Sequence, residues 1–124
     1  MKIRIKGNMV RFRLSKTDVD LLTQNGFLTE QTEFGPGNVL EYSVRADSTV
    51  QRLAVTFKNN AIILLVPEQD LKKWSQTELV GLQEVSETGD GKNLHLLLEK
   101  DFKCLDQVAE DQSDNYPNPL MKMH

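Results

Sequence analysis

Residues 2–14, "KIRIKGNMVRFRL", decide how this chain folds. Apolar and basic side chains alternate on both sides of Gly7-Asn8, and a period of two marks a half-buried strand. A two-residue turn at Gly7-Asn8 sets Ile5 opposite Val10 and Ile3 opposite Phe12 on one face. The other face then sets Arg4 against Arg11 and Lys2 against Arg13. Gly-Asn is a weaker hairpin signal than Asn-Gly, so a single bulged strand is the alternative.

After the hairpin, Ser15 supplies an N-cap, Asp18 stands near the positive end of the helix it opens, and Leu14 is placed to staple onto Val19. "QNG" at 24–26 ends that helix with a glycine where a left-handed cap is wanted, so the helix covers about residues 16–25. From 27 to 66 the pattern is all strand. "FLTEQTEF" and "LEYSVRA" flank the turn "GPGN", and "RLAVTF" and "AIILLV" flank "KNN". The apolar run predicts a central strand buried on both faces. Pro67 opens a second helix, with Glu68 and Asp70 in its first turn, Lys72 and Lys73 in its last, and Leu71 with Trp74 as its apolar edge. "ELVGLQEV" and "NLHLLLEKDF" form a last strand pair around "ETGDGK". This order predicts an α+β domain with a mainly antiparallel sheet of about six to eight strands and two short helices. Each half has a short helix followed by a strand pair, a loose echo without an evident residue-level repeat.

A chain of 124 residues is one ordinary domain. We place that domain at residues 1–105 and an acidic, proline-containing arm at 106–124, which Tyr116 and Leu120 can anchor. With 39% apolar and 27% charged residues the chain can fold without disulfide or metal. One cysteine cannot form an intramolecular bridge, and "MKIRIKGNMVRF" lacks the apolar core of a secretory signal. The longest apolar run, "AIILLVP", is far below the roughly 20 residues of a membrane helix. The expectation is a cytoplasmic protein with no membrane contact and no cofactor.

Two groups of residues suggest chemistry. Cys104, Asp106, Glu110, Asp111, Asp114 and His124 are types that bind zinc or similar ions. Their spacing argues against a site, because there is no C-x-x-C, no H-x-x-x-H and no calcium-loop pattern. A Cys104 nucleophile needs a nearby base, and His95 lies roughly 30 Å away along an extended strand. The second group is the basic hairpin. Residues 1–16 hold six basic side chains and no acid, whereas residues 99–119 hold six acids against two lysines, in a chain of net charge −3. Like charges paired across a hairpin destabilise by up to about 1 kcal/mol. Arg4, Arg11 and Arg13 therefore ask for an anionic neighbour. It is either a phosphate or nucleic acid, or the chain's own acids from "EQTE" or the terminal segment. The negative overall charge and the scarcity of aromatics beside the stripe favour the chain's own acids over nucleic acid. "GPGN" and "GDGK" are turn chemistry rather than a phosphate loop, and Glu30/Glu33 and Glu84/Glu87 sit in polar stretches.

"IKGNMVRFRL", "AIILLVP" with a tryptophan seven residues after its proline, and "LLLEKDFKCLD" followed by "EDQSDNYPNP" resemble a family of short bacterial proteins of unknown function. That resemblance implies a stand-alone bacterial cytoplasmic domain and brings no catalytic residue with it. The reading is a non-catalytic module that binds a protein partner or a second copy of itself. The alternatives are a metal-binding or enzymatic protein using Cys104 and the nearby acids, and a phosphate or nucleic-acid binder through Arg4, Arg11 and Arg13.

Overall fold

The computed structural model describes residues 1–102. Its elements run β1 (Lys2–Lys6), β2 (Met9–Leu14), α1 (Lys16–Asn25), β3 (Phe27–Gly35), β4 (Asn38–Asp47), β5 (Ala54–Lys58), β6 (Ala61–Pro67), α2 (Glu68–Gln76), β7 (Gly81–Glu87) and β8 (Asn93–Lys100). β1 and β2 form the expected hairpin, with Ile5 against Val10, Ile3 against Phe12, Arg4 against Arg11 and Lys2 against Arg13. Gly7 takes φ +53°, a conformation that only glycine adopts without cost, which lets the turn close in two residues.

Both helices follow from their local chemistry. Ser15 and Asp18 form a reciprocal capping box: the Ser15 hydroxyl accepts from the Asp18 amide at 3.2 Å and the Asp18 carboxylate accepts from the Ser15 amide at 2.9 Å. Gly26 closes α1 at φ +81° and donates its N–H to the Leu22 carbonyl at 2.8 Å. Pro67 occupies the N-cap of α2 and makes no side-chain cap bond, so acids at Glu68 and Asp70 serve the positive end instead.

The α+β class holds, but the sheet expectation needs correction. The eight strands form two four-stranded mixed sheets rather than one mainly antiparallel sheet. The terminal sheet has the order β1-β2-β8-β7 and the middle sheet the order β3-β4-β6-β5. Each joins two antiparallel hairpins through a parallel seam, β2 with β8 and β4 with β6. The physical reason is the pair of helices. Each carries the chain from the inner strand of one hairpin (β2 or β6) to the edge strand of the other sheet (β3 or β7), so neighbouring hairpins in sequence never share a sheet across a helix.

One apolar core unites the layers. Val10, Phe12, Leu14, Leu96 and Leu98 of the terminal sheet join Val44, Ile62, Leu64 and Val66 of the middle sheet, with Leu22, Leu71 and Trp74 from the helices. Trp74 is fully buried and its indole N–H donates to the Val80 carbonyl at 3.0 Å, which satisfies its one polar atom. β6 is a central strand as expected, although only one of its faces is fully buried. Ile62, Leu64 and Val66 point into the core, while Ile63 and Leu65 stay half-buried on the outside. No helix among the described residues is long and apolar enough to cross a membrane.

Candidate interaction surface

Strand alternation sends every second side chain to the outer face of each sheet, and the registers align those residues into rows. On the terminal sheet the rows are Gly81-Glu99-Arg13-Lys2, Gln83-Leu97-Arg11-Arg4 and Val85-His95-Met9-Lys6. On the middle sheet they are Phe27-Arg45-Leu65-Ala54, Thr29-Ser43-Ile63-Thr56 and Gln31-Glu41-Ala61-Lys58.

The structure brings Arg4, Arg11 and Arg13 together on the first of these faces, and it places acids of the same chain among them. The Glu99 carboxylate lies 3.1 Å from Arg11 Nε and 3.6 Å from Arg13 Nε, so one acid on β8 faces two guanidinium groups of β2. The Arg11 N–H is not aimed along its short contact, which makes the pair electrostatic rather than an aligned hydrogen bond. Lys2 Nζ meets the Asp101 carboxylate at 3.0 Å. The neighbours therefore come from the start of the acidic stretch that follows residue 98. "EQTE" contributes to a different cation: Glu30 and Asp18 flank the Met1 ammonium at 2.6 and 2.8 Å. Burial works against that ammonium, but hydrogen bonds and attraction from Asp18 and Glu30 outweigh it and raise its pKa above the ordinary 8.0. Burial likewise opposes the Asp18 carboxylate, while hydrogen bonds from the amine and from Ser15 hold its pKa below the ordinary 3.8.

The remaining candidates fall elsewhere. Cys104, Asp106, Glu110, Asp111, Asp114 and His124 lie outside the described residues, as do Tyr116, Leu120 and the 106–124 arm. Among the described residues no three His, Cys, Asp or Glu side chains gather to hold a metal ion. His95 lines a shallow depression of about 440 Å³ on the terminal sheet with Met9, Gln83 and Val85. A larger groove of about 670 Å³ runs between the helices and the end of β8, with Lys16, Val19, Asp20, Thr77 and Lys100 in its walls. Lys100 is held there by the Thr77 carbonyl at 2.7 Å and by the Trp74 ring, whose centroid is 5.8 Å from its ammonium.

The middle sheet's outer face escapes a reading by motif. Ile63 and Leu65 are half-buried there, Ser43 is buried with its Oγ 3.1 Å from Thr29 Oγ1, and Glu41 and Arg45 stand at either end of the β4 row. The run "AIILLV" is apolar at every position, so it carries no mark of which residues face outward. The signal lay on the neighbouring strand, where "EYSVRA" alternates polar Glu41, Ser43 and Arg45 with apolar Tyr42, Val44 and Ala46.

Residues 1–120 match the model of a family of unknown function, DUF7009. No curated protein and no solved structure matches the chain.

Proposed function

The chain belongs to that family, and from this premise we propose that it is a non-catalytic interaction module that pairs with a second copy of itself through the outer face of the middle sheet. The observation that carries this reading is the pair Glu41 and exposed Arg45 on β4, set beside half-buried Ile63 and Leu65 on β6. Two sheets stack about 10 Å apart with their side chains interleaved, and apolar side chains on the facing surfaces suit that packing. A two-fold pairing brings the same patch of both copies together. With the two β4 strands antiparallel, Arg45 of one copy meets Glu41 of the other at both ends, while half-buried Ile63 and Leu65 supply the apolar contact and Ser43 stays buried within each copy.

The anion-binding reading through Arg4, Arg11 and Arg13 has less support, because Glu99 already stands between Arg11 and Arg13. A lysine at the centre of the proposed interface would be desolvated without a partner, so Ile63→Lys should abolish pairing while leaving the core untouched. Sedimentation equilibrium of the parent is expected to give a concentration-dependent dimer and Ile63→Lys a monomer with unchanged far-ultraviolet circular dichroism. A parent that stays monomeric up to millimolar concentration, or an Ile63→Lys variant that dimerises as before, contradicts the proposal.

A further inference from the structure

We infer that the domain consists of two copies of one ββαββ unit, residues 1–47 and 53–101, which hold each other by exchanging hairpins. The surface by which one unit grips the other thus fits a second copy of the same unit. Three independent observations meet on this. The first is topology. Replacing β1, β2, β3, β4 by β5, β6, β7, β8 and the reverse turns the order β1-β2-β8-β7 into β5-β6-β4-β3, which is the middle sheet. Each sheet holds the first hairpin of one unit and the second hairpin of the other. Chance assembly of eight strands has no reason to return the same order with the same parallel seam in the same place.

The second is register. Residues 1–25 lie on 53–77 and residues 27–47 on 81–101, with the link between helix and strand longer in the second unit. Under this correspondence Phe12 opposite Leu98 becomes Leu64 opposite Val44, and Lys2 opposite Arg13 becomes Ala54 opposite Leu65. Isolated backbone bonds obey it as well. His95 N–H to the Asn8 carbonyl and Glu41 N–H to the Asn60 carbonyl are both 2.9 Å. Lys100 N–H to the Val80 carbonyl at 3.0 Å repeats Ala46 N–H to the Gly26 carbonyl at 2.9 Å, across the two links that differ in length.

The third is chemistry. Leu22 and Trp74, fully buried on α1 and α2, are counterparts, as are the half-buried Val19 and the buried Leu71. Gly35 and Gly37 of "GPGN" correspond to Gly89 and Gly91 of "GDGK", and all four have positive φ. Gly7 at φ +53° corresponds to Asn59 at φ +54°. Asp18 and Asp70, Glu30 and Glu84, Leu40 and Leu94, and Asp47 and Asp101 are identical pairs. Even the grooves correspond, since Lys16, Val19, Asp20 and Ser75 line one and Glu68, Leu71, Lys72 and Thr23 line the other.

The correspondence makes a demand that an unrelated pair of halves would not meet. The gap from Asp101 back to Met1 must equal the gap from Asp47 to Leu53, which the linker 48–52 bridges. The test exchanges units 1–47 and 53–101 while leaving the linker 48–52 and residues 102–124 where they stand, so every residue of the chain is kept. We expect far-ultraviolet circular dichroism superimposable on the parent and one cooperative thermal transition. In parallel, a protease site is inserted in the linker of the unchanged order, the protein is cut, and the two fragments are separated in denaturant and mixed on refolding. Reassembly into a 1:1 complex whose melting temperature rises with concentration supports the exchange. A reordered chain without a cooperative transition, together with fragments that do not reassemble, overturns it.

Discussion

The terminal and middle sheets share strand order and parallel seam, yet their outer faces differ in chemistry on the inner strands β2 and β6. Where the terminal sheet sets Arg11 and Arg13 of β2 against Glu99, the middle sheet has Ile63 and Leu65 of β6 beside Arg45. Their inner faces show no such divergence, because Phe12, Leu98, Leu64 and Val44 all enter one apolar core and any unpaired polar replacement there is penalised. The core thus specifies the architecture, while the outer faces are free to vary in charge and polarity. One face sets Glu99 against Arg11 and Arg13 and Asp101 against Lys2. The other sets half-buried Ile63 and Leu65 between Arg45 at one end and Glu41 with Lys58 at the other.

The largest effects should fall where the two halves are most alike. Trp74→Ala and its counterpart Leu22→Ala each empty a fully buried site, so each is expected to lower stability by about 3–5 and 2–5 kcal/mol respectively, read from urea unfolding. A change below about 1 kcal/mol at either site would break their equivalence. Next comes a position where the sheets differ. A Cβ on Gly81 would lie 2.9 Å from the Leu98 carbonyl oxygen and 3.1 Å from Glu99 Cγ, so Gly81→Ala should cost about 1–3 kcal/mol. The counterpart Phe27 is half-exposed, and Phe27→Ala should cost under about 1 kcal/mol.

The charged face predicts a smaller asymmetry. Glu99→Gln leaves Arg11, mostly shielded from solvent, beside a neutral group and should cost about 1–2 kcal/mol, whereas exposed Arg45→Gln should stay within about 0.5 kcal/mol. Equal losses at the two positions would mean that the Glu99 contacts contribute nothing of their own. The smallest effect belongs to the amino terminus. The Met1 amine has a raised pKa, so its contribution is complete below pH 8.0 and fades as pH rises through its higher folded value. Asp18 has a lowered pKa, so its contribution is complete above about pH 3.8 and fades as pH falls through its lower folded value. Acetylating the amine should remove the alkaline loss and lower the melting temperature near neutral pH by a degree or two. Leu53, the counterpart of Met1, brings a peptide N–H in place of an ammonium, so the second unit has no matching alkaline term.

Local rules made much of this legible in the sequence. The 2–14 hairpin and its register follow from alternation and one glycine, and α1 from its capping box and Gly26. The division into two sheets was not legible, because the seams join β2 to β8 and β4 to β6, and parallel partners far apart in sequence leave no local mark. The repeat was hidden for a related reason. Core counterparts exchange one apolar residue for another, as Phe12 and Leu64 do, the identical acids are scattered singly, and the turn glycines look ordinary one at a time. For the surface, the arginines were visible while their partner Glu99 was not, since it approaches from another strand. The Ile63 and Leu65 face was concealed in a run without alternation.

The proposed self-recognition through the middle sheet's outer face depends on Arg45 of one copy meeting Glu41 of the other. Sedimentation equilibrium of the parent, Arg45→Glu and the double variant Glu41→Arg with Arg45→Glu tests it most directly. The predicted result is a dimer for the parent, at least a tenfold weaker association for Arg45→Glu, and recovery in the double variant, whose reversed charges meet again across the two-fold. A parent that is monomeric throughout, or a double variant as weak as the single one, would contradict the claim.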